Sequence, residues 1–199
     1  MSKNTKRILI ILIVAIAVCI VGAAAAIGGV GLLAERFKNN IATDPKKVQD
    51  MAHEFINYEL PPGYSEKMGM DFLVYKMIMI GGGDDEKINS TQPMILLAHF
   101  QETQGMTPEE MSAQMQKSLA QQNGNKGADM KLVETRKVTI NGQETTLSVN
   151  EGTDASGDTL RQWVTTCPGK TGLVMILIQG DTANWDDAPF NDFLASIGN

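Results

Sequence analysis

The pattern of hydrophobic and polar positions divides the chain into a continuous apolar run near the N-terminus and a longer segment of mixed character. Residues 8–34 contain no charged residue and no proline. A helix rising about 1.5 Å per residue would make this run about 40 Å long, whereas a bilayer core of about 30 Å needs about 20 residues. The pattern therefore predicts a single transmembrane signal anchor at 8–34. It leaves a tail at 1–7, a polar linker at 35–43 and a soluble domain at 44–199.

The first half of the soluble domain contains both helical and extended patterns. Asp44 followed by Pro45 is typical of a helix start, and an apolar stripe at helical spacing predicts a helix over 46–59. Residues 68–80 are apolar and suited to a pleated surface, so they predict one or two strands. Continuous apolar character over 92–101 predicts a central, buried strand.

A second helix is predicted after that strand. Thr107 and Glu110 have the spacing of a capping box, and Met111, Met115 and Leu119 follow on one helical stripe. The acidic stretch at 81–85, which follows Ile80, is predicted to be a loop.

The second half of the domain is predicted to be rich in strands. Asn141-Gly142 tolerates the positive φ angles of a tight hairpin between strands at 137–140 and 144–149. A turn at 153–158 and two further strands, at 160–166 and 173–179, follow. The last helix is capped by Asp186 or Asp187 and buries an apolar stripe made of Phe190, Phe193, Leu194 and Ile197. The whole predicts an α+β domain, an antiparallel sheet with helices packed on it.

The apolar run permits three interpretations of the N-terminus. Lys3, Lys6 and Arg7 favour an uncleaved anchor with a cytoplasmic tail and an extracytoplasmic C-terminal domain. A cleaved signal peptide with a processing site within residues 23–26 is an alternative. Lipidation at Cys19 is a third, although Val18 stands where a small residue is needed. Small residues four apart, such as Gly22 and Ala26, also allow self-association of the membrane helix.

Charge and cysteine content narrow the classes of partner. The net charge is −6, so the domain is expected to be repelled by nucleic acid and by anionic lipid. The chain has two cysteines. Because Cys19 lies in the apolar run, Cys167 has no partner within the soluble domain, and stability must come from the core.

The order of predicted elements resembles the PsbP-like fold family. The residues that carry the likeness are 60–64 at the domain start, 138–149 around the hairpin, and 193–197 at the end. The helix over 46–59 and the anchor lie outside it. The resemblance implies a small exported or membrane-tethered sandwich domain with a non-enzymatic accessory role. It transfers no site residues, because no functional motif matches.

Metal-binding residue types are present without metal-binding spacing. His53 and His99 are the two histidines, and no HxxH, HxH or HExxH pattern brings them together. The acidic residues at 84–86 follow three glycines but lack the alternating pattern of a calcium loop. Asp181, Asp186 and Asp187 are explained more simply as loop and helix-cap residues. We therefore predict no metal site.

Catalytic and cofactor signals are equally weak. Cys167 precedes Pro168-Gly169-Lys170, but no histidine is near in sequence to form a thiolate, so a structural thiol is the better interpretation. Residues 168–172 lack the upstream glycine of a phosphate loop. Alternate methionines around 68–79, together with Met94, can line a soft ligand surface, yet strand positions facing a core give the same pattern.

These patterns together predict a single-pass membrane protein with a non-catalytic extracytoplasmic domain that needs no cofactor. Its role would be binding or assembly with a protein partner in the membrane or envelope. The alternative is an exported small-ligand or metal-binding domain released after signal cleavage.

Overall fold

The computed structural model describes residues 40–72, 75–83, 92–101, 130–153 and 157–198, which form one antiparallel sheet and two helices. Helix α1 spans Pro45–His53 and helix α2 spans Asp187–Ser196, after a short 3₁₀ turn at Thr182–Asn184. The eight strands are β1 (Ile41–Ala42), β2 (Tyr64–Phe72), β3 (Tyr75–Gly82), β4 (Met94–Phe100), β5 (Lys131–Ile140), β6 (Gln143–Thr153), β7 (Thr159–Pro168) and β8 (Leu173–Asp181).

The sheet consists of two meanders joined in the middle. Its strand order is β1-β2-β3-β4-β8-β7-β6-β5, and every neighbouring pair is antiparallel. Strand β4 pairs along its full length with β8, from Met94 opposite Gln179 to Phe100 opposite Leu173. The predicted α+β class and the central position of the strand at 92–101 are therefore confirmed.

Helix α1 begins as the sequence predicts and ends earlier. The Asp44 side chain accepts a hydrogen bond from the Lys47 backbone N–H at 3.0 Å, which caps the first turn. The helix ends at His53 instead of residue 59. The Phe55 carbonyl oxygen accepts a hydrogen bond from the Lys170 backbone N–H at 2.8 Å. In a continuing helix this oxygen would instead accept from an N–H of the next helical turn.

In the second half of the chain, the structure contains both the predicted hairpin turn and the predicted helix cap. Asn141 has φ +51° and Gly142 has φ +71°, as a tight hairpin between β5 and β6 requires. Asp186 is the residue that caps α2, with its side chain accepting the Ala188 N–H at 3.0 Å. The strands are longer than the patterns predicted, and Cys167 lies within β7.

The sheet extends into the region predicted to be a linker. Ile41 pairs with Met70, and Ala42 pairs with Gly69, so β1 forms one edge of the sheet. Two residues of the range 35–43 thus belong to the folded domain.

One face of the sheet packs against α1, α2 and the chain that follows α1. Its buried members include Val48, Phe55, Ile78, Trp163 and Phe193. The opposite face forms a second apolar cluster that contains Met70, Met77, Met79, Met94 and Met175. Met79 is 1% exposed, so these methionines face a core, the second of the two interpretations that their spacing allows.

Several predicted features lie outside the described residues. These are the apolar run at 8–34, the acidic residues at 84–86 and the helix that starts at Thr107. Of the loop predicted at 81–85, Gly81 and Gly82 instead belong to β3, where they pair with Ser65 and Tyr64. Within the described ranges, neither helix has the length and apolarity needed to cross a bilayer.

Candidate functional site

A group of charged and aromatic side chains lies on the helix-covered face of the sheet, near the N-terminal end of α2. We call it the Arg–Trp cluster and define it as Arg136 of β5, Arg161 and Trp163 of β7, Trp185 before α2, and Asp187 at the start of α2. The strand register places these side chains together, because Arg136 lies opposite Leu147 and Trp163 opposite Val149, both on the buried face of β6.

Arg136 contacts the side chains of Trp163, Glu134 and Asp187. Its guanidinium carbon lies 5.1 Å from the centroid of the Trp163 ring, a cation–π arrangement. The Nε and Nη2 groups donate to the two Glu134 oxygens at 2.7 and 2.8 Å, and Nη1 donates to Asp187 Oδ2 at 2.9 Å. These two carboxylates, Glu134 first, raise the pKa of Arg136 above its usual value, so the guanidinium stays charged.

Asp187 joins the two arginines and the second tryptophan. Its Oδ1 accepts the Trp185 Nε1–H at 2.6 Å and lies 3.6 Å from Arg161 Nη1. Arg161 in turn donates to Glu151 Oε1 from Nε at 2.9 Å and from Nη2 at 2.6 Å. The Arg161 guanidinium carbon lies 5.9 Å from the Trp185 ring centroid. One carboxylate therefore ties the N-terminal end of α2 to both arginines.

Trp163 is the buried centre of the cluster. Its ring centroid lies 5.5 Å from that of Trp185 and 6.3 Å from that of Phe190, and the side chain is 1% exposed. The Trp163 Nε1–H has no hydrogen-bond partner among the described residues. Every charge of the cluster is paired with an opposite charge, an arrangement that fixes α2 on the sheet and contains no nucleophile.

A small groove adjoins the cluster through Glu151. It has a volume of about 320 Å³ and is lined by Lys131, Glu151, Gly152, Thr153 and Thr159. Its lining residues include a lysine, a glutamate and two threonines, so its chemistry suits a small polar group.

Strand β5 carries the exposed apolar side chains of this end of the sheet. Leu132 is 61% exposed and Val133 is 54% exposed. The register between β5 and β6 shifts between Leu132 and Glu134, which places Val133 in a β-bulge. Of the remaining large apolar side chains in the described ranges, Ile41 on β1 is also exposed, at 40%.

The structure places the two histidines in different elements. His53 ends α1 and is exposed, whereas His99 in β4 is 2% exposed. The His99 ring stacks on Phe55 at 4.9 Å, and Nε2 contacts the Thr171 carbonyl oxygen. Because a carbonyl only accepts, Nε2 carries the proton and Nδ1 is left without a partner among the described residues. Burial lowers the pKa of His99, against the opposing effect of the Thr171 contact.

Cys167 and the acidic residues near α2 have structural environments. Cys167 is a free, buried thiol, and burial raises its pKa to about 12. Asp181 caps the 3₁₀ turn by accepting the Ala183 N–H at 2.8 Å, and Asp186 caps α2. Asp187 is not a cap: it belongs to the Arg–Trp cluster. No group of three possible metal-ligating side chains occurs within the described ranges.

Two polar arrangements were not foreseen from the sequence. The first is the Arg–Trp cluster, and the second is the buried Glu66 carboxylate, which accepts the Tyr58 hydroxyl at 3.1 Å. The alternation of side chains along β5 could have indicated the Arg–Trp cluster, because Arg136 shares a face with Val138 and Ile140, which point into the core. No local pattern connects Tyr58 to Glu66 across the turn between them.

Comparisons with known proteins leave the family open. No known protein family and no curated protein matches the chain. Among solved structures, the chain is similar to LpqN, described as involved in cell envelope biogenesis of Mycobacterium tuberculosis. The alignment covers 71% of this chain and 81% of that one, with 11% identity and a TM-score of 0.37. This likeness carries no argument about family or function, and the resemblance to the PsbP-like family stays a prediction.

Proposed function

We propose that the domain is a non-catalytic binding module, held at a membrane by residues 8–34 and placed outside the cytoplasm, whose β5 edge binds a protein partner. The observation that carries this proposal is the exposure of Leu132 and Val133 on an edge strand. Exposed apolar residues at the open edge of a sheet cost solubility unless a partner covers them.

The structural use of the reactive side chains supports a binding role over catalysis. The His99 ring contacts the Thr171 carbonyl oxygen and stacks on Phe55, and the Cys167 thiol is buried with a raised pKa. The carboxylates of Glu134 and Asp187 neutralise Arg136. A catalytic group has to reach its substrate, and these groups are directed at one another.

The position of the edge relative to the rest of the fold also supports this role. Helix α2 and the Arg–Trp cluster hold β5 through Arg136, so the strand is presented on a rigid support. A rigid strand loses little conformational freedom when it pairs with another chain, which favours recognition by strand addition.

Site-specific photo-crosslinking of the full chain in its own membrane tests the proposal. A benzophenone amino acid at Val133 should give an adduct of one defined mass, and the same group at the exposed Gln49 of α1 should not. The partner is then identified by mass spectrometry and copurified with the wild-type chain, and Val133→Asp should abolish that copurification. A protein captured equally from positions 133 and 49, or retained by Val133→Asp, would contradict binding at this edge.

The membrane part of the proposal has its own test. The intact mass of the protein extracted from membranes should correspond to the full chain, with or without the initiator methionine. A mass that begins near Ile27 would instead support the alternative of a cleaved signal and a released domain.

A further inference from the structure

The edge at β5 is long, while the opposite edge of the sheet is short. Strand β5 has ten residues and pairs with β6 alone among the described strands, whereas β1 at the other edge has two residues. An edge strand of this length offers a row of backbone donors and acceptors for another strand. It also carries charges of both signs, at Glu134, Arg136 and Lys137. Such a pattern favours pairing with a strand that has the opposite order of charges.

We propose that the partner is a second copy of the chain, whose β5 pairs antiparallel with the first about a two-fold axis at Thr135. This inference rests on the proposed function, because it names the partner of the same edge. Two copies related in this way form an isologous contact, in which the same residues face one another from both sides. The axis is normal to the sheet, so the helix-covered faces of both copies continue into each other.

The register follows from the side-chain alternation of β5. Residues directly opposite one another in an antiparallel pair share a face, so Glu134 and Arg136, which face the helices, must meet residues of that face. With Thr135 on the axis, Glu134 of each copy lies opposite Arg136 of the other. Opposite charges in direct opposition stabilise a strand pair.

The neighbouring registers are unfavourable for the same reason. Moving the axis to Glu134 sets two carboxylates against each other, and moving it to Arg136 sets two guanidinium groups against each other. Moving the axis to Lys137 places two ammonium groups opposite each other. Like charges in direct opposition destabilise a strand pair, so among axes at residues 134–137 the charge order along β5 selects Thr135.

The exposures of these side chains fit the arrangement. The side chain of Glu134 is 48% exposed and that of Arg136 is 29% exposed, although they already pair within the chain. A carboxylate has lone pairs for more than two donors, so Glu134 can accept a second guanidinium without losing the first. In this register, residues 132–133 adjoin residues 137–138 of the second copy, which covers the apolar surface at the bulge formed by Val133.

Disulfide trapping of the full chain in membranes tests this register. Every protein in the experiment carries Cys19→Ser, so the buried Cys167 is the one native thiol left. In Thr135→Cys the two thiols oppose each other across the axis, with Cα atoms about 5 Å apart, a separation that a disulfide spans. Mild oxidation should give a covalent dimer. Thr139→Cys is the matched control: it is exposed on the same strand and face. Its two thiols would be about 27 Å apart at about 3.4 Å per residue.

A second variant separates this contact from association through the membrane helix. In the protein with the benzophenone at Val133, Thr135→Lys sets two ammonium groups on the axis, so the adduct between two copies should fall at least tenfold. Persistence of that adduct, or equal disulfide yields from Thr135→Cys and Thr139→Cys, would overturn the register. An adduct with a different protein would show that the partner is not a second copy of the chain, and the proposed function would still stand. The absence of every adduct from position 133 would overturn both.

Discussion

Arg136 of β5 contacts Trp163 of β7 across the intervening strand β6, with 5.1 Å between the guanidinium carbon and the ring centroid. The contact is possible because β6 presents Leu147 and Val149 beneath it, and both are 1% exposed. Asp187 holds the guanidinium from the other side, so the contact also fixes the start of α2. The side chains that join the sheet to this helix are therefore charged as well as apolar.

Removal of the Asp187 carboxylate should destabilise the domain. Asp187→Ala removes the acceptors of Arg136 Nη1 and Trp185 Nε1, and it leaves two arginines close together. Hydrogen bonds to charged groups contribute about 1.5–3 kcal/mol, and Asp187 is partly exposed, so we expect the free energy of unfolding to fall by about 2 kcal/mol. Urea unfolding of the full chain in detergent, followed by tryptophan fluorescence, measures this.

The matched control for that experiment is Asp192→Ala on the exposed side of the same helix. An exposed substitution away from such contacts should change stability by less than about 0.5 kcal/mol. Equal losses in the two variants would show that Asp187 acts only through the charge of the helix, not through its contacts.

Gly172 is predicted to tolerate a side chain poorly. It has φ +64°, and a Cβ there would lie 2.1 Å from the Phe100 carbonyl oxygen of the neighbouring strand. Gly172→Ala should therefore lower the free energy of unfolding by at least about 2 kcal/mol, because backbone has to move. Gly142→Ala is the control, since it has φ +71° and open space around it. It should lose only about 1 kcal/mol, and equal losses would mean that the contact with Phe100 relaxes freely.

Cys167 should contribute to loss of stability in alkaline solution. Burial raises the pKa of its thiol to about 12, above the ordinary value near 9, so the unfolded chain loses this proton first. Stability from this group is complete below about pH 9 and is lost as the pH rises toward 12. Because Tyr64 also has a raised pKa, of about 12, the comparison of wild type with Cys167→Ala isolates the thiol. Between pH 8 and pH 10 the wild type should lose about 1 kcal/mol more.

The same thiol should be chemically protected. In a Cys19→Ser protein, iodoacetamide at pH 8 should label Cys167 only after urea unfolding. Labelling of the folded protein at a comparable rate would show that the thiol opens to solvent without unfolding.

His99 should contribute to loss of stability in mildly acidic solution. Burial lowers the pKa of this imidazole, so the unfolded chain binds a proton at a higher pH than the folded one. Its contribution is present above about pH 6.5 and is lost as the pH falls below that value, by at most about 1.4 kcal/mol per pH unit. Urea unfolding at pH 7.5, 6.5 and 5.5 should show this slope in wild type and in His53→Gln. The slope should be reduced in His99→Gln, and an unchanged slope there would assign it to other groups.

Local signals in the sequence were sufficient for the elements whose determinants lie within a few residues. Asn141-Gly142 formed its hairpin, and Asp44 and Asp186 formed their helix caps, because each depends on its own turn. The early end of α1 was not predictable in this way. It depends on the Lys170 N–H, which reaches the Phe55 carbonyl from the turn between β7 and β8.

The candidate site depends on longer-range geometry still. Arg136, Trp163 and Asp187 belong to three elements, and their contacts follow from the register of β5, β6 and β7. Alternation predicts which face a residue occupies and not which residue of another strand lies opposite it. The aspartates near Trp185 were therefore assigned as caps and loop residues, although Asp187 forms ion pairs with both arginines.

The pairing of β4 with β8 has a consequence for the order of folding. Strands β1 to β4 pair in chain order, and so do β5 to β8, so each meander can form from local contacts. The one pairing between them joins Met94–Phe100 to Leu173–Asp181, the last strand of the chain. Loop closure over such a sequence separation is slow. A chain emerging from a ribosome thus keeps β4 unpaired on one side until β8 has been synthesised, so the two meanders stay separate until then.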